Sequence, residues 1–254
     1  MKITYKGKKD QLQYYVCPDR NEMGKASAQL TAERIKRVLE EKKEARIIFA
    51  SAPSQDEFLY YLTKDEDIDW SKIIGFHMDE YIGLPENSEQ LFRRYLEKNL
   101  VHKVNFKSFH FIDSTKDAEE MAMIYSKLLS EKPVDLCCLG IGENGHIAFN
   151  DPPVADFNDP KLVKKVELDK RSRQQQVNDG NFKDIEEVPT HALSLTIPAL
   201  TSANAMVCTV PGATKKEAVN KVFYNQISTE CPATIMRRHS EAFLLLDEQA
   251  YGKE

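Results

Sequence analysis

The sequence has no long apolar run that could cross a membrane. No stretch of its 254 residues approaches the ~18 consecutive apolar residues of a membrane-spanning helix. The opening segment, MKITYKGKKDQLQYY, also lacks the apolar core of a secretion signal. We therefore expect no membrane partner and a cytoplasmic location.

The sequence is poor in cysteine, and its cysteine and histidine spacings do not indicate a metal site. No CxxC pair occurs, and the six histidines show neither HExxH nor H-x-H spacing. The cysteines are odd in number: Cys17, Cys137, Cys138, Cys208 and Cys231. Three of them lie in apolar runs typical of strands, which favours reduced thiols in the core. We expect neither disulfides nor a bound metal ion.

An excess of positive charge is also missing, since the formal net charge is −5 at pH 7. This balance argues against a nucleic-acid partner, although a local basic pocket stays compatible with it. Hydrophobic residues make up 41% of the chain and charged residues 30%, as in ordinary globular proteins. No linker-like composition divides the chain, so we predict a single domain over residues 1–254.

The chain does contain a regular alternation of short apolar segments with amphipathic segments. Strands are predicted at 46–50, 73–78, 109–112, 134–139, 191–196, 206–210 and 242–246. Helices are predicted at 21–45, from the residues after 55 to about 62, and at 88–100, 117–129, 198–203 and 214–223. Because the strands are apolar rather than alternating, we predict a Rossmann-like α/β fold. Its three layers would be a mainly parallel open sheet with helices on both faces.

Two regions lack this regularity. Residues 1–20 are polar and partly alternating, and we interpret them as a weak opening segment. Residues 156–182 are rich in Asp, Lys, Arg and Gln, which indicates a loop or lid with one strand at 162–168.

The segment 134–153, VDLCCLGIGENGHIAFNDPP, joins an apolar strand to a polar loop. Three glycines break regular structure and let the backbone approach a ligand: Gly140, Gly142 and Gly145. Five polar residues lie within nine positions of the loop: Glu143, Asn144, His146, Asn150 and Asp151. An open α/β sheet places its chemistry in such loops, so we predict an active site here. A polar structural turn is the alternative.

The turn at 51–57 follows a predicted strand and could hold an anion. Ser54 and Glu57 have the S-x-x-E spacing of a capping box, which predicts a helix start. Free N–H groups and the positive dipole end of such a helix suit a phosphate, and Ser51, Ser54 and Gln55 could add donors. A plain helix cap is an equal alternative.

Two carboxylates, Asp79 and Glu80, directly follow the predicted strand in FHMDEYIGL. Adjacent residues of an extended segment point to opposite sides, so only one of the two should face a pocket. Burial at the end of a strand can raise the pKa of a carboxyl group, which suits a general base. The alternative is an Asp that caps the next turn.

The segment 210–216, VPGATKK, places Thr214 and Lys215 at a helix start, where they could hold an anion. It lacks the full P-loop pattern, so we do not predict a nucleotide site. A solvated lysine pair is the alternative.

Four motifs together carry a family resemblance. FHMDEYIGL, LGIGENGHIAFNDP, VPTHALSLTIPAL and VPGATKKEAV, in this order and spacing, resemble the glucosamine-6-phosphate deaminase family over residues 46–246. The related 6-phosphogluconolactonases share the fold and a Gly-His loop. They usually have Thr-Ala-Ser after the His, where this chain has Ile147-Ala148-Phe149-Asn150. That difference favours the deaminases.

The resemblance implies a reaction and the residues that perform it. Family members convert an amino-sugar 6-phosphate and water into a ketose 6-phosphate and ammonia, without a metal or organic cofactor. At the matching positions His146 would assist opening of the pyranose ring, and Asp79 would move a proton between C2 and C1. Asp151 stands where the family has a Glu that assists the His.

The resemblance also implies where substrate groups bind. Lys215 matches a phosphate-binding position, and so do Ser51 and Ser54. The phosphate loop, usually Gly-Gly-Thr-Pro, reads Ala52-Pro53-Ser54-Gln55 here. Backbone N–H groups of the glycine-rich loop, including Gly145, would stabilise negative charge on an intermediate.

Several residues depart from the family pattern. Asn144 of the catalytic loop stands at the usual position of an Asp, and an amide cannot carry charge to stabilise a protonated His146. Asp151 is one methylene shorter than the usual Glu. No arginine matches the one that usually helps bind the phosphate, because Arg171 and Arg173 lie in a different register.

The predicted function is deamination and aldose–ketose isomerisation of glucosamine 6-phosphate, giving fructose 6-phosphate and ammonia by general acid–base catalysis. Three alternatives stay open: galactosamine 6-phosphate as substrate, a 6-phosphogluconolactonase-like hydrolase, and a non-catalytic sugar-phosphate sensor. The predicted partner is a small-molecule amino-sugar phosphate. The family contains monomers and symmetric oligomers, which leaves a homo-oligomer open.

Overall fold

The strands form one large sheet and one small sheet in the computed structural model, which describes residues 2–252. The strands of the large sheet are β1 (Tyr5–Lys9), β2 (Leu12–Cys17), β3 (Ala45–Phe49), β4 (Ile73–His77), β6 (Ser108–His110), β7 (Leu136–Leu139), β10 (Ala205–Val210) and β11 (Ala242–Asp247). The small sheet contains β5 (Asp79–Tyr81), β8 (Val163–Glu167) and β9 (His191–Leu195).

The helices follow the strands in alternation along most of the chain. They are α1 (Arg20–Glu41), α2 (Asp56–Leu62), α3 (Phe92–Leu96), α4 (Ala118–Ser130), α5 (Lys170–Asn178), α6 (Ile197–Thr201), α7 (Lys216–Tyr224) and α8 (Glu248–Tyr251). Shorter 3₁₀ segments lie at Pro53–Gln55, Trp70–Lys72, Ala213–Lys215 and Pro232–Arg238, and a π-helical turn at Glu97–Val101 continues α3. None of the helices described between residues 2 and 252 has the length and apolar character needed to cross a membrane.

The large sheet has the order β1-β2-β11-β10-β7-β3-β4-β6, and only the β1–β2 pair is antiparallel. The chain proceeds outward from β3 through β4 to β6, and in the opposite direction from β7 through β10 to β11. The order therefore reverses between β3 and β7. Open α/β sheets bind ligands at such a switch point, beyond the carboxyl ends of the strands.

Both faces of the large sheet are covered by apolar clusters. Successive residues of one strand belong to opposite clusters, as Cys137 and Cys138 do in β7 and Leu244 and Leu245 do in β11. This two-sided burial explains why the strands are apolar rather than alternating, and it confirms the predicted α/β fold. All five cysteines are free and buried, in agreement with the predicted core thiols.

The small sheet is joined directly to the large sheet where β5 follows β4. Strand β5 follows β4 after a single residue and pairs antiparallel with β9, with Asp79 opposite Ser194. Strand β9 also pairs antiparallel with β8. The change of sheet after His77 places the two carboxylates of β5 at the end of a parallel strand.

Two regions differ from the sequence predictions. The opening segment is an ordered hairpin, because β2 pairs in parallel with β11 and extends the sheet by two strands. Within 156–182 the predicted strand is confirmed as β8, but the prediction missed α5. That helix buries mostly polar residues, Ser172, Gln175 and Gln176, so it lacks the apolar stripe by which amphipathic helices are recognised.

Candidate active site

A cavity of about 250 Å³ opens at the carboxyl ends of β3, β4, β7 and β10. It lies at the switch point of the large sheet. The residues singled out in the sequence that line the cavity are Ser51, Ala52, Ser54, Asp79, His146 and Lys215, together with Gly140, Gly142 and Thr214. Four further candidates lie outside its lining: Gln55, Asn144, Gly145 and Asp151.

The turn after β3 supplies one wall of the cavity. Ser51 is only 5% exposed, and its Oγ has no hydrogen-bond partner among residues 2–252. Gln55 braces the turn from behind, since its Nε2 donates to Ser54 Oγ at 3.0 Å and to the Thr209 carbonyl at 3.3 Å. Gln55 Oε1 also has no partner in the described part of the chain.

The predicted capping box in this turn is wrong. Helix α2 begins one residue later than the motif requires, with Gln55 at the N-cap and no side-chain cap bond. Glu57 instead accepts a hydrogen bond from Arg20 Nε at 2.6 Å. The long-range ion pair has therefore replaced the local contact that the S-x-x-E spacing predicts.

The two adjacent carboxylates of β5 have different surroundings. Asp79 lines the cavity, and no described residue donates a hydrogen bond to its carboxylate. Burial raises the pKa of Asp79 well above its ordinary value, and the negative charges of Glu80 and Asp151 raise it further. A carboxyl group with a raised pKa is a stronger base than an exposed carboxylate, which suits proton transfer.

Glu80 is fully buried and points away from the cavity. Its carboxylate accepts backbone N–H groups of Tyr81, Phe92 and Arg93, at 2.9, 3.0 and 2.9 Å. Burial raises the pKa of Glu80 to about 7, although these three N–H groups and the Arg93 charge oppose the rise. Glu80 thereby ties β5 to the start of α3, which carries Phe92 into the cavity wall.

The glycine-rich loop after β7 holds the imidazole of His146 against the backbone. A Cβ atom on Gly142 would lie 2.1 Å from His146 Cε1, so only glycine fits beneath the ring. Gly145 has a positive φ of 90°, and a Cβ there would lie 2.5 Å from Cys231 Sγ. Gly145 therefore shapes the loop from outside the cavity, where its carbonyl accepts the Ala233 N–H.

His146, Asn144 and Asp151 form one hydrogen-bonded group beneath the cavity. His146 Nδ1 lies 2.9 Å from Asp151 Oδ1 and 2.8 Å from Asn144 Oδ1. Asn144 Nδ2 donates to the same Asp151 oxygen at 2.8 Å. With a carboxylate and an amide oxygen as neighbours, Nδ1 carries the proton, and Nε2 is free to interact with a ligand.

Asp151 is the charged member of this group. Burial opposes its ionisation, but the nearby His146 and the hydrogen bonds from Asn144 and from the Asp169 N–H hold the pKa of Asp151 below its usual range. Asp151 thus supplies, through a direct contact with the imidazole, the negative charge that Asn144 cannot carry.

We call a second set of lining residues, Ser51, Thr214 and Lys215, the anion end of the cavity. Lys215 is the last residue of the 3₁₀ segment before α7 and is 6% exposed. Its ammonium group has no hydrogen-bond acceptor within residues 2–252. Burial lowers the pKa of Lys215, while the carboxylates of Asp179 and Glu143 act in the opposite direction. Thr214 lies beside it in the cavity wall.

The cavity lining also includes residues that the sequence reasoning missed. Helix α5 contributes Gln175, Gln176 and, at its carboxyl end, Asp179, and the start of α1 contributes Arg20. The only signal for α5 was a run of polar residues between two strands, and Arg20 lies 31 positions before Ser51, the first candidate site residue. Tertiary structure alone brings them to the cavity.

No group of three or more His, Cys, Asp or Glu side chains is arranged to hold a metal ion in the described range 2–252. The cavity instead combines a carboxyl group of raised pKa, an imidazole with one free nitrogen, and a cationic side chain in one lining. This combination can move protons on a bound small molecule that carries an anionic group.

Comparison with known proteins gives a consistent family match. Residues 18–245 match the sequence model of the glucosamine-6-phosphate isomerases/6-phosphogluconolactonase family. A glucosamine-6-phosphate deaminase of Bacillus cereus (strain G9842) is 34% identical over 193 residues, which cover 76% of this chain and 72% of the relative. The resemblance proposed from the four motifs is thereby confirmed.

Solved structures agree in fold. A monomeric glucosamine-6-phosphate deaminase superposes with a TM-score of 0.84 at 26% identity, covering 96% of this chain and 99% of that one. A 6-phosphogluconolactonase from Thermotoga maritima superposes with a TM-score of 0.76 at 18% identity, covering 93% and 99% of the two chains. At that lower identity, the second similarity concerns the fold alone.

Proposed function

The chain belongs to the glucosamine-6-phosphate isomerase/6-phosphogluconolactonase family, and from this premise we propose that it deaminates and isomerises glucosamine 6-phosphate. The products would be fructose 6-phosphate and ammonia. The observation that carries the proposal is that Asp79, His146 and Lys215 line one cavity. The relatives at 34% identity, named glucosamine-6-phosphate deaminases, support the same substrate class.

His146 opens the sugar ring in this proposal. Its Nδ1 is held by Asp151 and Asn144, so Nε2 can take the proton of the anomeric hydroxyl and deliver it to the ring oxygen as the C1–O5 bond breaks. The Asp151 carboxylate stabilises the imidazolium that exists while Nε2 holds this proton. Asn144 holds both partners in position through its amide oxygen and nitrogen.

Asp79 transfers the proton between C2 and C1 of the opened sugar. In its ionised form it removes the C2 proton, and its raised pKa lets it hold that proton until delivery to C1. Water then displaces the nitrogen as ammonia from the resulting ketose imine. Negative charge that develops on the intermediate is stabilised by the imidazole of His146. The N–H groups of Gly142 and Gly145 cannot take the role expected from the sequence, because they donate to the carbonyls of His146 and Gly142 within the loop.

Lys215 and the turn after β3 anchor the substrate by its phosphate. Lys215 supplies charge, and Ser51 supplies a buried hydroxyl without another partner. Binding energy gained at the phosphate fixes C1 and C2 between Asp79 and His146, remote from the anchor.

Asp151 bears on the alternative of a non-catalytic sensor. Asn144 favours that alternative, because it removes the charge that the family usually places there. The carboxylate of Asp151, 2.9 Å from His146 Nδ1, supports a catalytic role instead. The size of the cavity does not discriminate between C4 epimers, so galactosamine 6-phosphate belongs in the same test.

The experiment is a comparison of substrates with the purified protein. We expect ammonia release from glucosamine 6-phosphate, with ketose 6-phosphate as the second product. Galactosamine 6-phosphate and 6-phosphogluconolactone serve as the competing substrates. Faster turnover of either competitor would reassign the substrate, and tight sugar-phosphate binding without turnover of any of the three would assign a sensor.

A further inference from the structure

Arg20 extends the anion-binding end of the cavity. It is the first residue of α1, directly after Asp19, whose carboxylate caps the helix by accepting the Glu22 N–H. The chain turns there from β2 into α1, so the Arg20 side chain reaches the turn after β3. Arg20 lines the cavity together with Ser51 and Lys215, and its guanidinium contacts the carbonyl of Pro53 in the same lining.

The guanidinium is held in one orientation by two contacts. Its Nε donates to Glu57 Oε2 at 2.6 Å, and its Nη2 donates to the Pro53 carbonyl. A guanidinium has five N–H groups, and no acceptor within residues 2–252 engages Nη1. The group is therefore oriented by the protein and keeps donors for a ligand.

The positive charge of Lys215 is partly offset at this end of the cavity, so a second cation would strengthen binding of an anion. Lys215 is the other cationic side chain of the lining, and burial lowers its pKa. The carboxylate of Asp179 also lines the cavity and offsets part of the Lys215 charge. An arginine keeps its charge at any physiological pH and matches the geometry of phosphate oxygens with its donor fork.

Arg171 and Arg173, the two arginines considered from the sequence for a phosphate contact, have other partners. Arg171 pairs with Glu217 at 2.8 Å. Arg173 donates to the carbonyls of Val188 at 2.8 Å and Ile185 at 2.5 Å. Among the described residues, Arg20 is the only arginine in the cavity lining.

We propose that Arg20 binds the substrate phosphate and, with Lys215 and Ser51, completes the anion subsite. This inference rests on the proposed function only in taking a phosphorylated sugar as the ligand. Arg20 would take the place of the arginine for which the sequence motifs offer no match. The residue would determine preference for phosphorylated over unphosphorylated sugars and take no part in proton transfer.

The test compares Arg20→Gln with Arg171→Gln. Both arginines pair with a glutamate at a similar exposure, 41% for Arg20 and 45% for Arg171, so the control removes an equivalent ion pair outside the cavity. We expect Arg20→Gln to weaken binding of 2-amino-2-deoxyglucitol 6-phosphate about tenfold to a hundredfold in titration calorimetry. Arg171→Gln should bind as the wild type does. KM should rise in parallel, with kcat nearly unchanged.

A purely structural role for Arg20 would give a different pattern. Loss of the contacts to Glu57 and Pro53 would then weaken binding of the unphosphorylated hexosaminitol as much as binding of its phosphate ester. That result would overturn the proposal. Unchanged affinity for the phosphate ester would overturn it as well. Arg20→Lys, which keeps the charge, should restore part of the affinity and provides a second variant if Arg20→Gln does not fold.

The binding measurement separates this proposal from the proposed function. If ammonia release fails but the phosphate ester binds and depends on Arg20, the deaminase assignment is wrong and the anion subsite stands. If ammonia is released and Arg20→Gln leaves KM and affinity unchanged, the subsite assignment is wrong and the function stands. A wild-type protein that binds no phosphate ester at all would contradict both.

Discussion

The two ends of the cavity differ in how their polar groups are satisfied. At one end His146, Asn144 and Asp151 bind one another within 2.9 Å, so the imidazole is oriented before any ligand arrives. At the other end Ser51 Oγ has no hydrogen-bond partner, and Lys215 has no acceptor, in the described part of the chain. The acid–base end is organised by the protein itself, whereas the anion end is completed by a ligand.

This difference has an energetic reason. A buried polar group without a partner costs roughly 1–3 kcal/mol, and a bound anion recovers that cost. An imidazole that must exchange protons gains from a fixed tautomer and orientation, which require partners in the free protein. Substitutions at the two ends should therefore affect different kinetic constants.

The largest effect should come from Asp79→Asn at the acid–base end. An amide cannot accept the C2 proton, so we expect kcat for ammonia release to fall about 10²- to 10⁴-fold. Affinity for the phosphate ester should stay close to that of the wild type. Glu80→Gln, which changes the adjacent carboxylate that does not line the cavity, is the matched control and should be milder in kcat. An undiminished kcat in Asp79→Asn would remove this residue from the mechanism.

The next effect is a pH dependence of the unfolding free energy that is caused by Glu80. Its pKa is raised to about 7 in the folded protein, so the folded state binds this proton more tightly than the unfolded chain. Its contribution to stability is then complete below about pH 4.5 and is lost as pH rises through 7, a change of about 3 kcal/mol. The measurement is the difference in unfolding free energy between wild type and Glu80→Gln. From pH 4.5 to pH 8, the wild type should lose about 3 kcal/mol of unfolding free energy relative to Glu80→Gln. A difference independent of pH would mean that the three backbone donors keep Glu80 ionised.

Lys215→Met should impair phosphate binding at the anion end without changing the acid–base residues. Removal of one charged donor to phosphate is worth about 1.5–3 kcal/mol, so we expect KM to rise about tenfold to a hundredfold with kcat largely retained. Lys216→Met, in the neighbouring lysine outside the cavity lining, is the matched control. Equal effects of the two variants would favour the alternative of a solvated lysine pair.

The smallest effect should come from Asn144→Asp, which tests the organised end. The amide nitrogen that donates to Asp151 Oδ1 at 2.8 Å would become an oxygen, so two carboxylates would face each other. We expect a loss of about 1 kcal/mol in unfolding free energy. The loss should grow from pH 5 to pH 8, because both carboxylates ionise at higher pH. Asn158→Asp, at an exposed asparagine, controls for added charge alone, and a stabilised Asn144→Asp variant would contradict the network described here.

Some parts of the molecule were predictable from the sequence, and others were not. The strands β3, β4, β7, β10 and β11 were predictable because their residues are buried on both faces and therefore apolar. Helix α5 was not, since Ser172, Gln175 and Gln176 form its buried side. Polar residues in such positions are indistinguishable from a loop when only the sequence is read.

The capping box shows the limit of local rules. Ser54 and Glu57 have the correct spacing, but Glu57 binds Arg20, which lies 37 positions away. A local motif specifies which contacts are sterically available, whereas the lowest free energy depends on partners that folding brings close.

The sequence by itself determined the alternation of strands and helices, the glycine-rich loop and the family, because each depends on contacts between near neighbours or on a long motif. Only the tertiary structure decided that Asp79 faces the cavity while Glu80 is tied to α3, and that Arg20 and Lys215 line the same cavity. The physical reason is that burial, charge and hydrogen bonding at a site are set by elements distant in sequence. Parallel strands bring those elements together at one edge of the sheet.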